Sequence, residues 1–275
     1  MTSPRESGYF TRESVIRRVG RESVLMLGGS RALLMQAAHP RVAAGIVAHS
    51  DYATEPWKRL GRTLTALYTV VFGTREEADA VAQAVRAVHR GVRGRTGDGA
   101  RYSALDPELQ LWVHATLVST GIAMHDAYVR PLTPDEREAF YQDMKVVARV
   151  FGVPARVLPG SYDDFGAYEE TMLRDVLRVG DDARRIAATI RRPPVPFAAR
   201  PAVIVLAHAN VGLLPPQLRD AYGFAWRPPD RAALAASARL VRTFLPLAPA
   251  PVRNVKRAGD RRNGLSLALL ALAAR

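Results

Sequence analysis

The chain has 275 residues, 48 % of them hydrophobic, no cysteine, and a formal net charge of +13. Its length suits one large domain or two small ones with a sizeable core, and the missing cysteine excludes disulfides, thiolate metal sites, iron–sulfur clusters and cysteine nucleophiles. Of the 39 basic residues only Lys58, Lys145 and Lys256 are lysines; the basic residues are spread along the chain without an aromatic single-strand motif, so no nucleic-acid partner is expected.

The N-terminal segment MTSPRESGYF has no apolar core of the kind a signal peptide needs, which with the absent cysteine predicts a cytoplasmic protein. Arg21 to Ala48 reads as one or two helices, interrupted near Gly28-Gly29 and at His39-Pro40. Trp57 to Phe72 reads as another. Thr74-Arg75-Glu76-Glu77 is a capping box, predicting a helix to about Arg93 with an apolar stripe of Val81, Val85, Val88 and Val92, ended by Gly94, Gly97 and Gly99. Asp106-Pro107 opens a helix to about Tyr128, with proline at its first position. Thr133-Pro134-Asp135-Glu136 is a second capping box, opening a helix to about Phe151.

After Ser161 helices are predicted to about Arg178 and from Asp181 to about Ile190. Residues 191–251 hold 11 of the 19 prolines and read as short helices joined by extended turns. Ala202 to Leu206 fits helix or strand; no period-two strand pattern persists elsewhere, and there is no internal repeat. Leu265 to Ala274 is apolar but shorter than the roughly 20 residues of a membrane span, which predicts a terminal helix and no transmembrane segment. The fold class is therefore all-α, a single helical domain over 1–275 with a proline-rich C-terminal extension at about 191–275.

Most enzyme signatures are missing. There is no GxGxxG after a strand, no phosphate-binding P-loop, no GxSxG elbow and no HExxH. No histidine follows a glutamate by three residues, so the Glu-x-x-His pairs of di-iron bundles are absent too. The histidines are His39, His49, His89, His114, His125 and His208. Arg86, His89 and Arg93, spaced by three and four on the expected helix, fall within roughly 60° of one another. Two flanking cations depress an imidazole's pKa and keep it neutral, the form a metal ligand needs, and guanidinium groups suit an anion such as a haem carboxylate. A solvated basic helix face fits the same spacing. Arg59, Arg62 and Thr63 share a face of the preceding helix; the short connection at Gly73 makes the two helices antiparallel neighbours, so both polar faces can flank one cavity or form an exposed basic patch.

The pattern Arg59-x-x-Arg62-Thr63 followed by Arg86-x-x-His89-x-x-x-Arg93 resembles the catalytic domain shared by the rubber oxygenase called latex clearing protein and the fungal mycophenolate-pathway oxygenase. Ala38-His39-Pro40, His49-Ser50, Phe72-Gly73-Thr74, Trp112-Val113-His114-Ala115-Thr116, Gly152-Val153-Pro154 and Leu158-Pro159 are similar to the bacterial branch of that family. The likeness covers about 28–172. It implies a globin-like helical core holding haem b. His89 matches the proximal iron ligand, Arg86 and Arg93 its supporting neighbours, and Arg59 and Thr63 the distal arginine and threonine. The implied reaction adds dioxygen across a carbon–carbon double bond and cleaves an isoprenoid-like chain to carbonyl products.

Two departures stand out. Arg62 replaces a lysine that can take the sixth iron position in rubber oxygenase; guanidinium has no lone pair to offer, which leaves the distal site open or holding water. No position matches the distal acid of rubber oxygenase. Without an export signal, a small apolar unsaturated substrate is expected in place of rubber. His114 and His125 return to one helix face and leave a shared metal site open; structural roles are expected for His39 and His49, and none is assigned to His208. Two other readings stay open, a non-catalytic haem or small-ligand sensor or carrier, and a cofactor-free helical protein that binds a phosphate or lipid head group. Oligomeric state is not read from the sequence.

Overall fold

The structure, a computed structural model, describes residues 8–191 and 195–255. In chain order the helices are α1 (Val15–Gly20), α2 (Gly29–Ala37), α3 (Pro40–His49), α4 (Pro56–Phe72), α5 (Arg75–His89), α6 (Pro107–Tyr128), α7 (Pro134–Phe151), α8 (Tyr162–Thr171), α9 (Asp181–Arg191), α10 (Arg200–Gly212), α11 (Pro216–Ala221) and α12 (Pro228–Phe244). Short 3-10 turns, one π turn at Met172–Val176 and a last helical turn at Ala250–Arg253 complete the all-α domain. The terminal helix expected at Leu265–Ala274 lies outside the described residues. No helix among the described residues is long and apolar enough to cross a membrane.

The helix starts follow from local chemistry. Thr74 and Glu77 exchange both bonds of a capping box, at 2.8 and 3.2 Å, and Thr133 and Glu136 do the same at 3.0 and 3.2 Å. Asp106 caps α6 by accepting the Glu108 amide at 2.9 Å. Each bond satisfies an amide that the helix itself leaves without a partner. The interruption near Gly28-Gly29 has a packing cause. A Cβ at Gly28 would stand 2.6 Å from the Thr120 methyl, and one at Gly29 2.7 Å from Leu60; only glycine lets the start of α2 approach α6 and α4 this closely.

The core is organised around α6, which buries residues on every side, as a helix surrounded by others must. Trp112, fully buried, donates its indole N–H to the Met35 carbonyl at 3.2 Å. Arg31, also buried, donates to Leu213 O, Thr120 Oγ1 and Ser119 Oγ at 2.8, 2.8 and 3.1 Å, so its head is hydrogen-bonded throughout by neutral acceptors. The ambiguous stretch Ala202 to Leu206 is helical, inside α10.

Four expectations are corrected. The α5 helix ends at His89, not Arg93: Gly91 and Val92 bond back to Val88 and His89 carbonyls at 3.1 Å, and the chain then becomes a strand. That strand, β1 (Arg93–Arg95), pairs antiparallel with β2 (Arg101–Ser103), so a two-stranded hairpin stands where none was expected. The valine stripe holds only in part, with Val81 partly buried against the core and Val85 half-buried. The buried residues of α5 are Ala78 and Ala82, while Val88 is 69 % exposed. Also, α8 stops at Thr171 and reaches Val176 only through the π turn.

Candidate functional site

The site expected from the sequence lies at the open end of the α4–α5 hairpin. Along α5, Ala78 and Ala82 are buried, and His89 stands within about 20° of the line they define. Along α4, Ala66 and Val70 are buried, and Arg59 lies between their two directions when the helix is projected down its axis. Each helix thus continues its buried stripe into a polar residue. At 1.5 Å per residue, His89 is about 21 Å past the Gly73 turn and Arg59 about 20 Å before it. The short connection makes the two helices neighbours that pack against each other.

His89 is half-buried, and no hydrogen bond or ion pair reaches its ring among the described residues. Burial pushes its pKa below the usual imidazole range. The expected direction holds, but the cause is loss of water and not the neighbouring arginines. The ring is therefore neutral near pH 7, with its nitrogens free of protein partners. The hairpin fixes the place of this helix end: Ala104 donates to the Val92 carbonyl at 2.9 Å, and Tyr102 lies over Gly94, where a Cβ would stand 2.6 Å from the phenol oxygen. The Tyr102 hydroxyl is 3.3 Å from His49 Nε2, which ties the hairpin to α3.

Arg59 is half-buried as well. Burial first, and Arg62 second, lower its pKa, and no carboxylate pairs with it among the described residues. Arg62 is exposed and 3.5 Å from Asp51. Thr63 is exposed and donates its hydroxyl to the Arg59 carbonyl at 3.1 Å, which leaves the oxygen lone pairs facing outward. The guanidinium groups are thus the available donors on this face, while the threonine proton is engaged.

Arg86 shares the α5 face with His89 and runs against the last turn of α7; a Cβ on Gly152 would meet its Cδ at 3.4 Å. With Gln83, Arg90 and Leu105 it lines a cleft of about 310 Å³. Sequence reasoning missed Gln83, Arg90 and Leu105, although Gln83, Arg86 and Arg90 stand at i, i+3 and i+7, a spacing that marks one helix face. Arg93 is not on α5. It is an exposed residue of β1 opposite Ser103, so the three-residue helical constellation reduces to Arg86 and His89.

The other histidines separate from this site. His114 and His125 are about 16 Å apart along α6, too far to share a metal ion. His114 is buried, its Nε2 has no partner, and burial lowers its pKa to about 4. His39, buried with an unpartnered Nδ1, is lowered to about 4 by burial and then by Arg41. His125 is 2.8 Å from the Arg130 carbonyl, closing α6. His208 pairs with Asp230 at 3.3 Å. Among the described residues no group of three or more His, Asp or Glu side chains is arranged to hold a metal ion.

Comparison with known proteins extends the likeness at both ends. Residues 16–243 match the family model of the ER-bound oxygenase mpaB/B′/rubber oxygenase catalytic domain, beyond the stretch 28–172 that carries the motifs. Uncharacterized proteins of Mycobacterium tuberculosis and Mycobacterium bovis are each 30 % identical over 208 residues, covering 73 % of this chain and 81 % of theirs. They place the chain beside bacterial members. No solved structure matches it. With a match over most of its length, this chain belongs to the family of the mpaB and rubber oxygenase catalytic domain.

Proposed function

We propose that this oxygenase-family protein uses haem b to add dioxygen across a carbon–carbon double bond of a small, largely apolar, isoprenoid-like substrate, cleaving it to two carbonyl products. The observation that carries the reading is His89, an imidazole kept neutral by burial, without a protein partner, at the end of a buried stripe. The donor set suits this cofactor. A non-haem iron site of the facial-triad kind needs two histidines and a carboxylate converging, an arrangement absent among the described residues. A porphyrin brings four nitrogen donors of its own and asks the protein for one histidine.

When bound, haem supplies the redox-active iron for dioxygen chemistry. The protein's part is binding, orientation and charge. His89 would hold the haem iron through a ring nitrogen, and the hairpin behind it holds the helix end in place. Arg86, on the same helix face as His89, would offer positive charge to the cofactor's carboxylates. Arg59 is the donor best placed to meet negative charge developing on oxygen, because it is half-buried and unpaired, and a donor is strengthened where water is excluded. Arg62, held near Asp51, adds charge at the rim, and Thr63 adds an acceptor.

Oxygen consumption by haem-reconstituted protein with farnesol or squalene tests the reading, with carbonyl products trapped by dinitrophenylhydrazine. The expected result is substrate-dependent uptake and trapped product, with kcat lowered by about 100-fold in Arg59→Leu at unchanged haem content. Haem binding without uptake on any unsaturated substrate would assign the protein to reversible ligand binding instead.

A further inference from the structure

Most of the strongly exposed apolar side chains gather in one region. Phe197, Ile204, Val205, Leu240, Phe244 and Leu247 are each between 57 % and 83 % exposed, and outside this stretch only Val88 reaches that range among the described residues. They lie on α10, on α12 and on the turns beside them, and α10 packs against α12 with His208 paired to Asp230.

Helix α12 has two apolar faces. Leu234, Ala238, Val241 and Leu245 face inward onto Val24, Met124 and Tyr128. On the other side Ala233, Ala236, Leu240 and Phe244, at i, i+3, i+7 and i+11, form a second stripe that no described element covers, and Leu247 extends it. A surface helix needs one apolar face for its core; a second calls for another apolar phase or partner.

The charges beside this stripe point to the occupant. From Arg231 to Val255 the chain holds Arg231, Arg239, Arg242 and Arg253 and no acidic residue. Arg231 and Arg239 are exposed, and neither has a carboxylate partner among the described residues; Arg200 lies over the Phe197 ring, 5.7 Å from its centroid. In sequence the following residues add Lys256, Arg257, Arg261 and Arg262 against Asp260 alone. A second copy meeting this face about a twofold axis would set arginine against arginine with no carboxylate to intervene. Exposed apolar side chains rimmed by unpaired arginines suit an interface whose interior is hydrocarbon and whose surface is negative.

We propose that the outer face of α10 and α12 docks onto the surface of an anionic lipid membrane. Phe197, Leu240, Phe244 and Leu247 enter the head-group boundary, and Arg200, Arg231 and Arg239 lie against lipid phosphates. This stands apart from the haem reading, because none of these residues belongs to the site between α4 and α5.

Co-sedimentation of the full chain with phosphatidylcholine vesicles, with and without phosphatidylglycerol, tests it. The protein is expected to pellet with the anionic vesicles, less so in high salt. Leu240→Glu/Phe244→Glu is expected to weaken that binding by at least about tenfold, at unchanged melting temperature. Phe197→Glu/Val205→Glu probes the other end of the face, should the first pair disturb folding. Protein that stays in the supernatant, or that binds uncharged vesicles equally well, overturns the proposal. So does a dimer, seen by light scattering, that the glutamates dissociate while vesicles remain unbound.

Discussion

Trp112 and His89 each carry a ring nitrogen on a helix of the same domain, and their helices treat it differently. Trp112 sits at the centre of α6, fully buried, with its N–H bonded to the Met35 carbonyl. Around it Gln36 donates to Thr116 at 3.0 Å, and the Tyr222 hydroxyl donates to Leu34 O at 2.7 Å. These three polar groups are matched by neighbouring acceptors, as most buried polar groups are, although the His114 Nε2 on the same helix is not. At the end of the α4–α5 hairpin the reverse holds. His89 and Arg59 are half-buried, depressed in pKa by burial, and without hydrogen-bond or ion-pair partners among the described residues. Under the proposed function, Trp112 stabilises the fold, whereas His89 and Arg59 are the residues that meet the cofactor and dioxygen.

The largest effect is expected in the core. Trp112→Ala should cost about 4 kcal/mol, the range for losing a large buried aromatic ring, and chemical denaturation would read it as a lowered midpoint. A loss near zero would mean that α6 is not the centre of the packing.

The next effect is acid sensitivity. His39 and His114 are buried and lowered to about 4. In the unfolded chain they titrate near 6.5, so between these values the unfolded state binds more protons and stability rises with pH. Stability should be intact above about 6.5 and fall as the pH drops toward 4, by roughly 2 kcal/mol per histidine between pH 6.5 and 5. Denaturant titrations across that window would measure the slope; a flat profile would mean that neither ring is buried neutral.

The smallest stability effect belongs to the site. Arg59→Leu and His89→Leu should change stability by less than about 1 kcal/mol, or raise it, because neither removes a hydrogen bond and one removes an uncompensated charge. A melting temperature lowered as far as in Trp112→Ala would place both residues in the structural class and erase the contrast.

Much of this was legible in the sequence where the cause is local. The capping boxes at Thr74 and Thr133, the cap at Asp106 and the break at Pro40 all act within a few residues and are found where expected. The end of α5 was not legible. Gly94, Gly97 and Gly99 look like terminators, but the helix stops earlier because 93–95 pairs with 101–103, and strands of three residues are too short to show alternation. The valine stripe misled for a related reason. α5 packs against α4 and α7, and its buried residues are the small Ala78 and Ala82, which add little to a hydrophobic pattern. His89 and Arg59 were visible as spacing, whereas their burial and lack of partners depend on which helices lie beside them. The same dependence hid the outer stripe of α12, since an apolar residue in sequence does not say which of two faces the core will take.

The most direct measurement is an absorption spectrum of the purified protein after haemin reconstitution, oxidised and dithionite-reduced, beside the same spectra of His89→Ala. A Soret band that shifts on reduction in the wild type, and is lost from the variant after gel filtration, is the predicted result. An equal Soret band in both proteins, or none in either, would contradict His89 as the axial ligand and the account built on it.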